Sequence, residues 1–204
     1  MYTIGLTGSI GAGKSTVARY LEHRGYPIVD ADQLGHEAYE PSTSCFHKVV
    51  SAFGKDLVAP DGTINRKKLG RIVFADSVRL QLLNQIVWPE IKKLAELRLE
   101  SHRQLQQFPI VFFEAAVLVE ADWYTIVDEV WTVLSSKSTT ISRVLARDDT
   151  SEAHLEQRID AQISNQERIR RSQVVIHNNG SIDELHKSVD LELNKLHQRI
   201  EGDK

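Results

Sequence analysis

Thr3-Ile4-Gly5-Leu6-Thr7-Gly8-Ser9-Ile10-Gly11-Ala12-Gly13-Lys14-Ser15-Thr16 is the stretch from which the rest of the chain is read. Tyr2 to Thr7 has the apolar character of a buried β-strand, and Ser15 to Arg24 the spacing of an amphipathic helix. Between them Gly8, Gly11 and Gly13 free the backbone of Cβ atoms, so successive N–H groups can turn inward around an anion. The helix beginning near Lys14 adds its positive end. The spacing Gly8-x-x-x-x-Gly13-Lys14-Ser15 fits a P-loop: backbone amides from Gly8 through Thr16, with Ser9, Ile10 and Ala12 between the glycines, cradle phosphates. Lys14 can reach the β- and γ-phosphates, and the Ser15 hydroxyl can ligate Mg²⁺. The plainer reading is a glycine-rich turn that binds nothing, but three glycines so close together are entropically costly unless a ligand needs them.

The 204 residues suit one domain with inserted subdomains, and the chain is long enough to bury a core without disulfides. Net charge is 25 − 28 = −3, which gives no reason to expect nucleic acid or an anionic membrane as main partner. Cys45 is the only cysteine, so no internal disulfide forms and a reducing, cytoplasmic setting is expected. Burial, not catalysis, is the expected fate of Cys45. No leader segment is expected, since Met1 runs straight into the first strand. No apolar run approaches the ~20 residues of a membrane span, and the eight histidines lack metal-ligand spacing.

Further along, Tyr26-Pro27-Ile28-Val29 reads as a second strand ending at Asp30-Ala31-Asp32. In parallel α/β sheets ligands sit beyond the carboxyl strand ends, so this acidic pair is expected on the same rim as the glycine-rich loop. An N-cap role for one of the two is the structural alternative. Residues 33–107 read as a helical insertion. Its apolar stripe of Leu80, Leu83, Ile86, Val87, Ile91, Leu94 and Leu97 predicts core, and Pro89 is expected to kink or divide the long helix. Arg66, Lys67, Lys68 and Arg71 form either a solvated face or a phosphate contact. Pro109 to Phe113 reads as a third strand, ending at Glu114, where a carboxylate could hold Mg²⁺-bound water or a substrate group. Asp128 to Leu134 is a fourth strand, Lys137 to Arg147 a helix, Gln173 to Ile176 a fifth strand and Ser181 to Ile200 a final helix. The segment 143–171, with Arg143, Arg147, Asp148, Asp149, Arg158, Arg168, Arg170 and Arg171, reads either as a mobile lid or as a surface hairpin of i,i+4 ion pairs. Ser151-Glu152-Ala153-His154 reads as a capped helix start.

The ordered set of these features resembles the dephospho-coenzyme A kinase family. The resemblance rests on Ile4 through Ser15, Asp30-Ala31-Asp32, Asp61-Gly62-Thr63-Ile64-Asn65-Arg66, Trp88-Pro89, Val117-Leu118-Val119-Glu120, Arg147-Asp148 with Arg158 and Gln162, and Asn178-Asn179-Gly180. Trp88 stands where the usual bacterial pattern has histidine, and Ala116 where it has proline. The segments around Leu34–Tyr39, Val87–Pro89 and Glu114–Leu118 look closer to the kinase domain of the animal bifunctional coenzyme A synthase. The resemblance implies a three-layer α/β P-loop kinase fold: a five-stranded parallel sheet (core 1–30, 108–136, 172–200), a helical substrate-binding insertion over 31–107 and a lid over 137–171. It implies phosphorylation of the ribose 3′-hydroxyl of dephospho-coenzyme A by ATP with Mg²⁺, by a monomer or weak homo-oligomer. Asp32 is then the base, and Lys14 and Arg147 stabilise charge. Asn178 packs near the nucleotide, while Thr7, Asp30, Arg66, Glu114 and Leu118 contact the substrate side. Another small-molecule P-loop kinase, such as a nucleoside monophosphate kinase, is the alternative.

Overall fold

A computed structural model describes residues 1–148, 150–160 and 162–202, leaving aside the side chain of His154. Within these residues the chain forms two compact units. One comprises Met1–Val29 and the chain from His102 onward; the other is Asp30–Ser101.

The first unit is built on five strands: β1 (Tyr2–Gly8), β2 (Ile28–Asp30), β3 (Ile110–Glu114), β4 (Glu129–Leu134) and β5 (Val174–His177), in the order β2-β3-β1-β4-β5. The sheet is parallel. β1 meets β3 with Leu6 level with Glu114, and β4 with Gly8 level with Val133; Phe112 N–H joins Pro27 O at the β2 edge. Strands covered on both faces need continuous apolar runs, which is why Ile110 to Phe113 and Val130 to Leu134 alternate so little.

One face is covered by α1 (Lys14–His23) and α9 (Ile182–Gly202). Val17, Ala18 and Leu21 from α1 and Leu185, Val189, Leu193 and Leu196 from α9 share one core with Ile4, Leu6, Phe112, Trp131 and Val133. The predicted final stripe is therefore the buried one. Polar contacts lock the two helices: Tyr20 Oη donates to Asp190 Oδ2 at 2.7 Å, Arg24 Nη1 donates to Asp190 Oδ1 at 2.6 Å, and the Tyr20 ring stacks on His186. At the start of β4 the buried Glu129 accepts from Trp131 Nε1 and twice from Arg199 of α9. On the other face Leu118 and Trp123 pack over Gly5 and Phe113. The charged segment forms α6 (Lys137–Arg147), α7 (Glu152–Asp160) and α8 (Asn165–Arg170); Asp149 and the His154 side chain, named above, lie outside the described residues.

The second unit is helical: α2 (Ala31–Ala38), α3 (Ser44–Phe53), α4 (Arg66–Phe74) and α5 (Ser77–Leu105), the last running on into the first unit. Side-chain caps from Asp30, Thr43 and Asn65 begin the first three. Between α3 and α4 a short 3₁₀ turn leads to one antiparallel bridge, Val58 with Ile64. One expectation is narrowed here and another corrected. Of the two outcomes expected at Pro89, division does not occur: α5 is one helix of 29 residues with Pro89 inside it. A proline forfeits its own N–H bond and crowds the turn before it, and the buried row Leu83, Val87, Ile91, Ala95 and Leu99 holds the helix together around the defect. That row also displaces Leu97 from the core; it is exposed, because the true spacing falls on Ala95 and Leu99.

Leu193→Ala should remove a buried side chain from the shared core and cost about 2–5 kcal/mol. Urea unfolding is expected to show an earlier midpoint with an unchanged slope.

Candidate active site

The loop between β1 and α1 is shaped by two close approaches. A side chain at Gly8 would sit 2.6 Å from the Val133 carbonyl oxygen, so only glycine lets the chain leave the sheet tight against β4. Gly13 caps α1 at φ +97°, and a side chain there would also strike the Asn178 amide. Ser9 O accepts from Ala12 N–H, and Gly13 O from Thr16 and Val17 N–H. Among the described residues the N–H groups of Gly11, Gly13, Lys14 and Ser15 find no main-chain acceptor. These are the orphan donors of a helix start, gathered where the helix dipole is positive, and they fit a phosphate group.

Lys14 Nζ lies 2.5 Å from Glu114 Oε1, with side chains only 13% and 9% exposed. Glu114 therefore faces the loop lysine, a partner the sequence reading did not assign to it. Thr7 and Leu118, expected on the substrate side, have no exposed surface in this structure. The Thr7 hydroxyl turns toward Ala116 O at 3.4 Å, and Leu118 fills the space that the missing Gly5 side chain leaves.

Asn178 is buried at the base of the loop. Its Nδ2 donates to Ala12 O at 2.8 Å, its N–H to Leu134 O at 2.7 Å, and its carbonyl accepts from Arg143 Nη1 at 2.8 Å. Arg143 Nη2 reaches Gly180 O, and Asn179 Oδ1 accepts from Ser136 N–H, the capping residue of α6. The Asn178-Asn179-Gly180 turn thus props the loop from beneath and anchors α6.

In the charged segment, Arg147 is 70% exposed and grips its neighbour Asp148 through Nε and Nη2. Arg158 is exposed as well. Arg168 is not: it is wholly buried, giving Nη2 to Glu120 at 2.6 Å and Nη1 to Ile163 O at 2.8 Å, which corrects its placing on a charged surface. Burial pulls the Arg168 guanidinium below its ordinary range, and Glu120 opposes this. A cavity of about 350 Å³ opens between Ser9 and Ile10 of the loop, Lys137 and Thr140 of α6, and Gln162, Ile163 and Arg168.

In the helical unit, Asp30 Oδ1 accepts Asp32 N–H at 2.8 Å, so the capping alternative holds for Asp30. Asp32 is exposed in the first turn of α2. Arg66 lies over the half-buried Tyr39 ring at 5.6 Å. Lys68 is held by Asp56 at 2.6 Å, so the basic cluster is partly spent on structure. Groups of three or more His, Cys, Asp or Glu able to hold a metal are absent among the described residues, and no described helix is long and apolar enough to cross a membrane.

Residues 2–184 match the family model described as dephospho-CoA kinase. The chain is 47% identical over 190 residues to the dephospho-CoA kinase of Geobacter sulfurreducens, covering 93% of this chain and 96% of that one. Among solved structures, TT1252 from Thermus thermophilus superposes with a TM-score of 0.78 at 32% identity, covering 96% and 97% of the two chains. A dephospho-CoA kinase from Campylobacter jejuni shares the fold, with a TM-score of 0.69 at 24% identity over 95% and 96%.

Cys45 stands apart from the loop chemistry. It is buried in α3, and burial pushes its thiol up to about 11, with Glu90 adding to the rise. Near pH 8 roughly one thiol in a thousand is then ionised. Iodoacetamide labelling followed by mass spectrometry should run about a hundredfold slower than for glutathione and accelerate once the chain is unfolded.

Proposed function

The chain belongs to the dephospho-CoA kinase family, and on that premise we propose that it carries the γ-phosphoryl group of ATP to the ribose 3′-hydroxyl of dephospho-CoA. The observation that carries the reading is the loop itself: unpaired amides and a lysine at a helix start, in a chain whose likeness to the family runs from residue 2 to 184. The 3′-oxygen attacks the γ-phosphorus, the bond to the β,γ-bridging oxygen breaks, and ADP and CoA leave.

The loop amides of Gly11, Gly13, Lys14 and Ser15 hold phosphate oxygens, with Gly8, Ser9, Ile10, Ala12 and Thr16 completing the loop. Lys14, exchanging or sharing Glu114, balances the charge that gathers on the departing diphosphate. Ser15, whose side chain is exposed, is the residue that would hold Mg²⁺ together with the phosphates of ATP. When bound, the ion would neutralise charge across the β- and γ-phosphates. Asp32 accepts the hydrogen bond of the 3′-hydroxyl and takes its proton late, and Asp30 fixes the turn that presents it. Arg147 exchanges Asp148 for phosphoryl oxygens as the segment 137–171 acts as a lid. Asn178 serves the nucleotide through the loop it supports, and Arg66 serves the anionic end of the substrate from the helical segment 31–107. A cytoplasmic setting is supported by the lone, buried thiol; a monomer or weak homo-oligomer suffices for the site described.

Incubating the purified chain with ATP and dephospho-CoA should yield CoA and ADP by liquid chromatography and mass spectrometry. AMP and simple sugars, offered in parallel, should remain unphosphorylated; turnover of either instead of dephospho-CoA would overturn the acceptor assignment. Asp32→Asn is expected to lower kcat by about 10²–10⁴ while leaving ATP affinity within twofold.

A further inference from the structure

One loop donor is already taken. Ile10 N–H donates to Oε1 of Gln162 at 2.9 Å, a residue 152 positions further along the chain. Gln162 follows α7, and its own N–H returns to Ile159 O. The next residue is clamped from the far side, since Ile163 O accepts from Arg168 Nη1, and Arg168 is fixed by Glu120 in the segment after β3. A continuous line therefore runs from Glu120 through Arg168, Ile163 and Gln162 to Ile10. Its anchor is a guanidinium without exposed surface. A buried charge-assisted pair is hard to shift, because separating it strands a charge away from water.

Two features make this line more than a surface contact. Ala12 N–H is engaged by Ser9 O and Ile10 N–H by Gln162, whereas the N–H groups of Gly11, Gly13, Lys14 and Ser15 have no main-chain acceptor among the described residues. The acceptor is also a neutral amide oxygen. A carboxylate in its place would take the same N–H but would set a negative charge beside bound phosphates.

We infer that Gln162 is a positioning residue of the phosphoryl-transfer site. It pins the first turn of the loop in the form that leaves the remaining amides to the nucleotide, and it couples the return limb of the charged segment to that turn. The inference deepens the kinase reading above and rests on it.

The test compares Gln162→Met, which keeps length but loses the acceptor, with Gln162→Glu, which keeps the acceptor and adds charge. ATP affinity is measured by calorimetry without acceptor substrate, alongside kcat and KM with dephospho-CoA, melting temperature, and amide exchange at Ile10. For Gln162→Met, ATP should bind about fivefold more weakly, the scale of one neutral hydrogen bond. Its kcat should fall severalfold and KM for dephospho-CoA should stay within twofold. Ile10 exchange should quicken, with melting within about 2 °C of the parent chain. Gln162→Glu should restore slow exchange at Ile10 yet bind ATP more weakly than the parent, by a margin that shrinks as salt rises. Unchanged or tighter ATP binding by Gln162→Met overturns the inference, as does a loss that both variants share in proportion to a large fall in melting temperature. A parent chain that binds ATP but leaves dephospho-CoA untouched sinks the acceptor assignment instead, and the affinity comparison still decides the role of Gln162.

Discussion

The ion pair between Lys14 and Glu114 is the contact on which the site's organisation depends. It exists because parallel pairing sets the last residue of β3 level with Leu6, just before the loop leaves β1. Neither partner has much access to water, so each is tolerable mainly because the other is there. A lysine that reaches back over its own loop to a strand end needs that strand in register. A slip of one residue would turn Glu114 to the opposite face of the sheet and leave Lys14 without its partner. The apolar pattern of β1, β3 and β4 thus does more than fill a core: it fixes where a charge must stand.

Around that pair the loop is held from several sides by groups that carry no charge to a phosphate. Asn178 takes the Ala12 carbonyl from below, Gln162 takes the Ile10 amide, and β4 crowds Gly8 so closely that no side chain fits. Arg143 is cationic but spends its guanidinium on two backbone carbonyls, Asn178 and Gly180. Preorganisation of this sort matters for phosphoryl transfer, where positioning and electrostatics supply most of the rate.

The loop, the five strands and the final helix were legible in the sequence, because each is written in local signals: glycines before a lysine at a helix start, continuous apolar runs, and a stripe at Leu185, Val189, Leu193 and Leu196. What was not legible depends on partners far away in the chain. Arg168 looks like one more surface cation until Glu120 and Ile163 are brought beside it. Glu114 reads as an open carboxylate until Lys14 arrives. Pro89 misleads for another reason: the local cost of a helix break is real, but burial along α5 outweighs it. Asp30 was ambiguous on its face, and the backbone of α2 decided it.

The pairing of α9 with the first strand has a consequence for how the molecule is made. Ile4 and Leu6 leave a ribosome some 180 residues before the side chains that seal them, from Leu185 to Leu196. At roughly 5–20 residues per second, the nascent sheet spends on the order of ten seconds or more with its α9-facing side uncovered. During that interval its apolar strands are open to mispairing with neighbouring chains. Completion of the nucleotide-loop layer therefore waits on α9, and a synthesis pause shortly before α9 would prolong the vulnerable state more than the same pause placed after it.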